Sequence, residues 1–306
     1  MHKFLWITAF VLLVLMLLFL VGANLLARYT AGLFVRSAPL AERIGSVPGD
    51  EVGLHPQLVT VAFEPLTLTT QDGLKLYALY YPAQNGAAVI LLHGYRSRHS
   101  EVIPVAEMLV RHGYGVLLPD LRGHGRSEGT DITFGKLEQY DVAAAYTYLT
   151  ATAGVAPGRV ALFGNSMGSA IAILYAADHP EIPAVVAQSP YNSYEDEIIY
   201  QTERFQMPAW LVVPMIRFWA QQEFDFPLDD ISPILKISQI SPRPIFILQG
   251  GQDVMLDVKK AQQLVDADDE PRLYWFDETV GHVDFPYTLP EEFERRLTAF
   301  YDQYVK

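Results

Sequence analysis

The stretch Arg159-Val160-Ala161-Leu162-Phe163-Gly164-Asn165-Ser166-Met167-Gly168-Ser169-Ala170 decides how the rest of the chain is read. Val160 to Phe163 is a short unbroken apolar run, the pattern of a buried strand. It breaks at Gly164 into Gly164-Asn165-Ser166-Met167-Gly168, a G-x-S-x-G pattern, and Ser169 to Ala177 follows as a helix rich in alanine and aliphatic residues. Strand, tight turn between glycines and helix form the setting of a nucleophile elbow. Small residues at 164 and 168 let strand and helix approach closely, and the helix start aims unpaired N–H groups at whatever Ser166 attacks. The pattern alone also fits a serine in an ordinary strand–helix turn, so the remainder of the chain must decide.

Outward from this stretch, strands alternate with helices. Val59 to Thr69 and Leu74 to Tyr81 read as a hairpin around Gln71-Asp72-Gly73. Further strands are expected at Ala87–Leu92, Val116–Leu118, Ala184–Ala187, Ile245–Leu248 and Leu273–Phe276. Helices are expected at Glu101–His112 with Ser100 as N-cap, Gly135–Thr150, Val258–Ala267 and from Pro290 to the end. This order means an α/β fold: a mostly parallel, doubly wound sheet with helices on both faces and an antiparallel edge. Function in such sheets gathers at the carboxyl ends of the strands. Residues 191–240 interrupt the alternation with aromatic residues and prolines; following a strand end, they read as a short helical lid over that face or as an extra packing layer.

A serine hydroxyl needs a base, and the base needs an acid to hold its tautomer. In an elbow fold the order is Ser, Asp or Glu, then His. Apart from His179, at the end of the elbow's own helix, the one histidine after Ser166 is His282, in a loop after the last strand. Gln249-Gly250-Gly251-Gln252-Asp253 places Asp253 after the preceding strand. Asp257 is the rival carboxylate, and its position before an apolar-periodic helix suits an N-cap. Oxyanion donors are expected from the N–H of Met167 and, in His93-Gly94-Tyr95, from that of Tyr95. His93 and His124 read as loop-holding residues, and His2, His55, His99 and His112 as solvated ones. Neither a metal-ligand constellation nor a nucleotide cradle follows any strand, so neither metal nor cofactor is expected.

The net charge of −13 argues against a nucleic-acid partner. The absence of cysteine removes thiol chemistry and leaves the redox compartment open. Phe4 to Ala27 carries no charge and exceeds the about 20 apolar residues that a transmembrane helix needs. A cleaved signal peptide, whose apolar core runs about 7–15 residues, is the alternative. The expected layout is an anchor at 1–29, a Gly- and Pro-punctuated linker at 30–57 with one short helix before Pro48, and a separable catalytic domain at 58–306. Lys3 on one flank and Arg28, Arg36 and Arg43 on the other divide the positive-inside vote; a short inner tail with an extracytoplasmic catalytic domain is the expectation.

From about residue 60 the chain resembles the α/β-hydrolase superfamily. The resemblance is carried by Leu91-Leu92-His93-Gly94-Tyr95, Asp120-Leu121-Arg122-Gly123-His124-Gly125-Arg126-Ser127, Gly164-Asn165-Ser166-Met167-Gly168, Gly250-Gly251-Gln252-Asp253 and Gly281-His282. Within the superfamily it is similar to Bem46-like serine hydrolases and to bacterial lysophospholipase-like and aminopeptidase-like relatives. The resemblance implies a Ser166–Asp253–His282 triad, with Tyr95 and Met167 as oxyanion donors. It also implies hydrolysis of an ester, thioester or small amide of a small-molecule acyl substrate through an acyl-enzyme. A peptidase, for which Glu195, Asp196 and Glu197 could hold a free amine, and a catalytically silent binding module on the same fold stay open.

Overall fold

A computed structural model of the protein describes residues 2–37, 60–204, 206–267 and 272–305. The elements follow in chain order: α1 (His2–Val35), β1 (Glu64–Thr69), β2 (Lys75–Tyr81), β3 (Ala88–Leu92), α2 (Ile103–Arg111), β4 (Gly115–Pro119), α3 (Glu138–Thr147) and β5 (Val160–Asn165). Then come α4 (Met167–Asp178), β6 (Val185–Gln188), α5 (Tyr194–Arg204), α6 (Ala209–Phe224), β7 (Ile245–Gly250), α7 (Val258–Ala267), β8 (Arg272–Asp277), α8 (Phe285–Thr288) and α9 (Pro290–Tyr304). The strands form one eight-stranded sheet in the order β1-β2-β4-β3-β5-β6-β7-β8. β2 is antiparallel to both its neighbours, and every pair from β4 to β8 is parallel. This is the α/β-hydrolase fold, a mostly parallel, doubly wound sheet.

The central strands read as unbroken apolar runs because both faces are covered. In β3, Ala88, Ile90 and Leu92 enter one core while Val89 and Leu91 enter the other. In β5, Val160 and Leu162 oppose Ala161 and Phe163 in the same way. α3, α4 and α7 cover the first face, and α2 and α9 the second. β1 is mostly exposed and admits Pro65 because an edge strand can lose one ladder donor.

Three local expectations need correction. β1 starts at Glu64 rather than Val59, with Thr60 to Phe63 outside the ladder. Ser100 does not cap α2: it lies inside a 3₁₀ turn, His99–Val102, and α2 begins at Ile103 with Pro104 in its first turn. His99 is not solvated. It is buried, and Asp120 Oδ1 accepts both its backbone N–H, at 2.8 Å, and a bond from its Nδ1, at 2.7 Å.

α1 runs past residue 29 to Val35, because no proline interrupts the chain before Pro39. Ser37 N–H then donates to Thr130 O at 2.7 Å, which ties the end of α1 to the loop before α3. The later turns of α1 pack on α6. Most of the expected linker, including the short helix before Pro48, and the side chain of His55 lie outside the described residues.

The loop after β4 is pinned by one buried guanidinium. Arg122 donates from Nε and Nη2 to Asp141 Oδ1, at 2.9 and 2.7 Å, and its backbone N–H donates to Oδ2 at 2.8 Å. Its other edge meets Asp72 in the β1–β2 turn, at 2.8 and 3.2 Å. One side chain thereby joins the hairpin, the loop after β4 and α3. Arg122→Leu leaves Asp141 buried without its partner and is expected to cost about 3–5 kcal/mol, whereas Asp72→Asn, at a partly exposed carboxylate, costs at most about 1 kcal/mol. Thermal unfolding of the full chain in detergent ranks the two; equal losses refute the assignment of Asp141 as the dominant partner.

Candidate active site

β5 delivers Ser166 at its carboxyl end, and α4 starts at the next residue. Ser166 has φ 51° and ψ −116°, a left-handed backbone that a side chain rarely adopts. The flanking glycines are there for space. A Cβ on Gly164 would overlap the backbone of Gly168, and a Cβ on Gly168 would overlap the carbonyls of Leu92 and His93. The elbow therefore presses against the end of β3, which is where the Tyr95 loop begins. Met167 opens α4, so its N–H belongs to the first turn, where no partner exists within the helix. Tyr95, Ser166 and Met167 all line one cavity of about 650 Å³.

Glu101, in sequence only the first residue of an expected helix, joins the two loops. Glu101 Oε2 accepts Gly94 N–H at 3.0 Å, and its Oε1 accepts Asn165 Nδ2 at 3.1 Å. It thus bonds one residue before Tyr95 and one before Ser166. A signal was available in principle, since an acid shortly after His93-Gly94 is within reach of both loops, but only the packing of β3 beside β5 reveals its partners.

His93 holds the same loop. Leu121 N–H donates to its Nε2 at 3.0 Å, which leaves the proton on Nδ1 to bond Gly94 O at 2.8 Å. Burial, with His124 nearby, brings its pKa down to about 4, so the ring is neutral and structural as the sequence implied. His124 bonds the carbonyl of Arg122 through Nδ1 at 2.8 Å.

The other half of the site comes from β7 and β8. Asp253 follows β7 and is buried; its Oδ1 accepts the N–H groups of Met255 and Leu256, at 2.8 and 3.0 Å. Its Oδ2 meets His282 Nδ1 at 2.7 Å and accepts Gln249 Nε2 at 3.2 Å. Burial alone would raise this carboxyl, but the hydrogen bond and charge of His282 and the two backbone donors outweigh it and hold the pKa below the ordinary value. Asp257, the rival, accepts Lys259 N–H at 3.1 Å from the residue before α7, the N-cap arrangement. His282 lines the cavity that Ser166 enters. The structure thus brings together all five residues expected from the sequence.

Strain collects around them. Arg96 after Tyr95, Ser189 after β6 and Val283 after His282 have φ of 56°, 51° and 52°. For a β-branched residue such as Val283 that is an outlier, and each such residue costs on the order of 1–3 kcal/mol. Val283 N–H donates to Ser189 Oγ at 3.3 Å, so two strained loops brace each other beside His282.

Residues 191–240 roof the cavity. The rings of Tyr95, Phe134 and Tyr194 form a wall, with centroids 5.2 and 4.8 Å apart in succession. Ile198 from α5 and Ile216 from α6 close the top. The three acids of α5 part company. Glu195 pairs with Arg217 at 3.1 Å and Asp196 with Lys260 at 2.8 Å. Glu197 alone lines the cavity, where Gln201 Nε2 donates to it at 2.6 Å. Burial raises its pKa to about 7 despite that bond.

The family model that matches the chain is described as "Serine aminopeptidase, S33" and covers residues 83–239, just over half of the chain. It includes Ser166 and ends before Asp253 and His282. An uncharacterized protein of Mycobacterium tuberculosis is 31% identical over 229 residues, which make up 74% of this chain and 74% of that protein. A thiohydrolase of Aspergillus aculeatus is 33% identical over 159 residues, 51% of this chain and 48% of that protein. Among solved structures, an esterase of Pyrococcus furiosus superposes with a TM-score of 0.67 at 25% identity, covering 83% of this chain and 95% of that one. With its sheet order, its elbow and these matches, the chain belongs to the serine aminopeptidase S33 family and is an α/β hydrolase.

Proposed function

We propose that this hydrolase cleaves an ester or thioester of an apolar acyl chain through an acyl-enzyme on Ser166. The observation that carries the reading is the 2.7 Å contact between His282 and Asp253 at the cavity that Ser166 enters. With Nδ1–H donated to Asp253, the lone pair of His282 sits on Nε2, where it can take a proton. In the proposed course, Ser166 Oγ attacks the acyl carbon as its proton passes to His282 Nε2. The N–H groups of Tyr95 and Met167 hold the oxyanion. His282 protonates the departing alkoxide or thiolate, and a water repeats the sequence to free the acid. The thiohydrolase and esterase among the similar proteins support this bond class, and the aromatic and aliphatic wall supports an acyl chain. Small amides belong to the same chemistry.

The proposal includes membrane attachment. Trp6–Tyr29 within α1 is long and apolar enough to cross a bilayer. We read α1 as a single-pass anchor with the hydrolase domain on the extracytoplasmic side. Arg28 and Arg36, which would argue for the opposite orientation, are engaged by Trp219 and Glu223.

Glu197 supports a second reading, an aminopeptidase, since an ionised carboxylate in the cavity could hold a substrate amine. The pH profile separates the two. Glu197 is neutral below about pH 7 and charged above it. An apolar chain suits the neutral form, so the ratio of kcat/KM for a decanoyl ester to that for an acetyl ester is expected to fall as pH rises through about 7. Taking the ratio removes any pH dependence that the two substrates share. Glu197→Gln flattens the profile. An aminoacyl amide hydrolysed faster above pH 7 than below it, with the rise lost in the same variant, favours the peptidase.

Ser166→Ala is expected to abolish labelling by a fluorophosphonate and to leave only the roughly 10³-fold to 10⁴-fold advantage over water that a site without its nucleophile retains. Full turnover of p-nitrophenyl acetate by this variant contradicts the assignment. A wild-type chain that resists the fluorophosphonate is a silent binding module.

Asp253→Asn should lower kcat by about 10⁴, since the imidazole tautomer is then wrong. Asp257→Ala should cost about 1 kcal/mol of stability and little rate. Rate and melting temperature measured on both variants decide between the carboxylates, and a reversed pattern transfers the role to Asp257.

A further inference from the structure

α1 has two kinds of surface. From Trp6 to Phe19 every residue is exposed. From Leu20 one face is covered: Leu20 and Ala23 in part, Ala27 and Ala31 fully, at spacings of three and four residues. The cover is α6. Trp219 Nε1 donates to Asn24 Oδ1 at 2.7 Å, the Arg28 guanidinium stands 4.8 Å from the Trp219 ring centre, and Arg36 meets Glu223 at 3.5 Å. Ala27 shares a core with Ile216 and Ala220. α6 also reaches the catalytic cavity, through Ile216.

These contacts fix where α6 sits along α1. Later residues of α1 meet later residues of α6, so the two helices run in the same sense. At about 1.5 Å per residue, Trp210 lies roughly 13 Å back from Trp219, at the level of the exposed turns of α1 that precede Asn24. The uncovered run from Trp6 to Phe19 spans only about 21 Å on the same rise. A hydrocarbon core is about 30 Å thick. The span must therefore include turns of α1 that α6 already covers, and the first turns of α6 reach the level of the bilayer.

What α6 presents there is apolar. Trp210 is 80% exposed, and Phe218 also faces out. The cavity mouth lies at the same end. Met207, just before α6, lines the cavity, and Arg204 Nη1 donates to Val254 O at 2.6 Å. Val254 is 63% exposed, and its exposed neighbour Met255 lines the cavity. Tryptophan at the headgroup level and an apolar helix face lying in the interface are what a bilayer surface accepts.

We propose that the first turns of α6 and the Val254–Met255 loop dock on the phospholipid bilayer that α1 enters, so that the mouth of the Ser166 cavity opens against lipid. This rests on the reading of α1 as an anchor. The helix that roofs the cavity is then held from both sides, by α1 and by lipid, and a single-chain amphiphile can pass into the cavity without crossing water.

The chain has no cysteine, so single-cysteine variants report one place each. Leu12→Cys, Trp210→Cys, Val254→Cys and Gln303→Cys, each at an exposed position, are labelled with a polarity-sensitive nitrobenzoxadiazole dye. The full-length chain is reconstituted into phosphatidylcholine–phosphatidylglycerol vesicles with and without doxyl-labelled lipid. Gln303 lies on α9, across the sheet from α6. Quenching at 12, 210 and 254 with none at 303 is the expected result. Quenching at 12 alone overturns the docking and leaves the anchor standing. Quenching at 210 but not at 254 overturns the placement of the mouth. No quenching at 12 removes the anchor reading and the docking with it.

Discussion

The site depends on the close approach of two backbones. Gly168 stands so near the carbonyls of Leu92 and His93 that no side chain fits between them, and Gly164 faces Gly168 under the same constraint. That contact brings the turn holding Ser166 against the loop holding Tyr95, although the two residues are far apart in sequence. The strained backbone of Ser166 persists because the parallel β3–β5 pairing on one side and the buried α4 on the other leave it no alternative. Glu101 then bonds one residue from each loop, so a single carboxylate sets their separation.

The second half of the site is assembled by direction rather than by neighbourhood. β7 and β8 run parallel to β5, so their carboxyl ends reach the same edge of the sheet, and the loops after them bring His282 to the cavity with the buried Asp253 bonded to it. Asp253 is oriented by four donors, two of them backbone groups of its own loop. Its carboxylate is thereby fixed in place against the His282 imidazole. Asp257 has its carboxylate committed to a helix start, so two aspartates four positions apart have different partners.

Above this rigid edge lies a roof of different character. α5 and α6 supply aromatic and aliphatic side chains to the cavity and one carboxyl, Glu197, whose neighbours in sequence are both neutralised by cations. α6 meets the cavity through Ile216 and packs on α1. The apolar amino-terminal helix therefore packs on one element of that roof as well as being a candidate span, and its small residues Ala27 and Ala31 allow the close packing.

Residues 159–170, read alone, already contained the elbow, because a buried strand, a glycine pair and an alanine-rich helix are local patterns with local causes. The alternation of strands and helices likewise determined the layered sheet, and chain order with strand ends singled out Ser166, Asp253 and His282. The apolar length of the amino terminus was legible for the same reason. Other features were decided only by tertiary structure. His99 reads as a surface residue until Asp120 is placed beside it. Glu101 reads as a helix residue until β3 and β5 lie side by side. Glu195, Asp196 and Glu197 are three equivalent acids in sequence, and only the positions of Arg217 and Lys260 leave Glu197 facing the cavity. The packing of α1 on α6 joins residues almost two hundred positions apart. Periodicity and turn chemistry act over a few residues and can be read along the chain, whereas the partner of a buried charge or of a helix face depends on which distant segments the fold brings into contact.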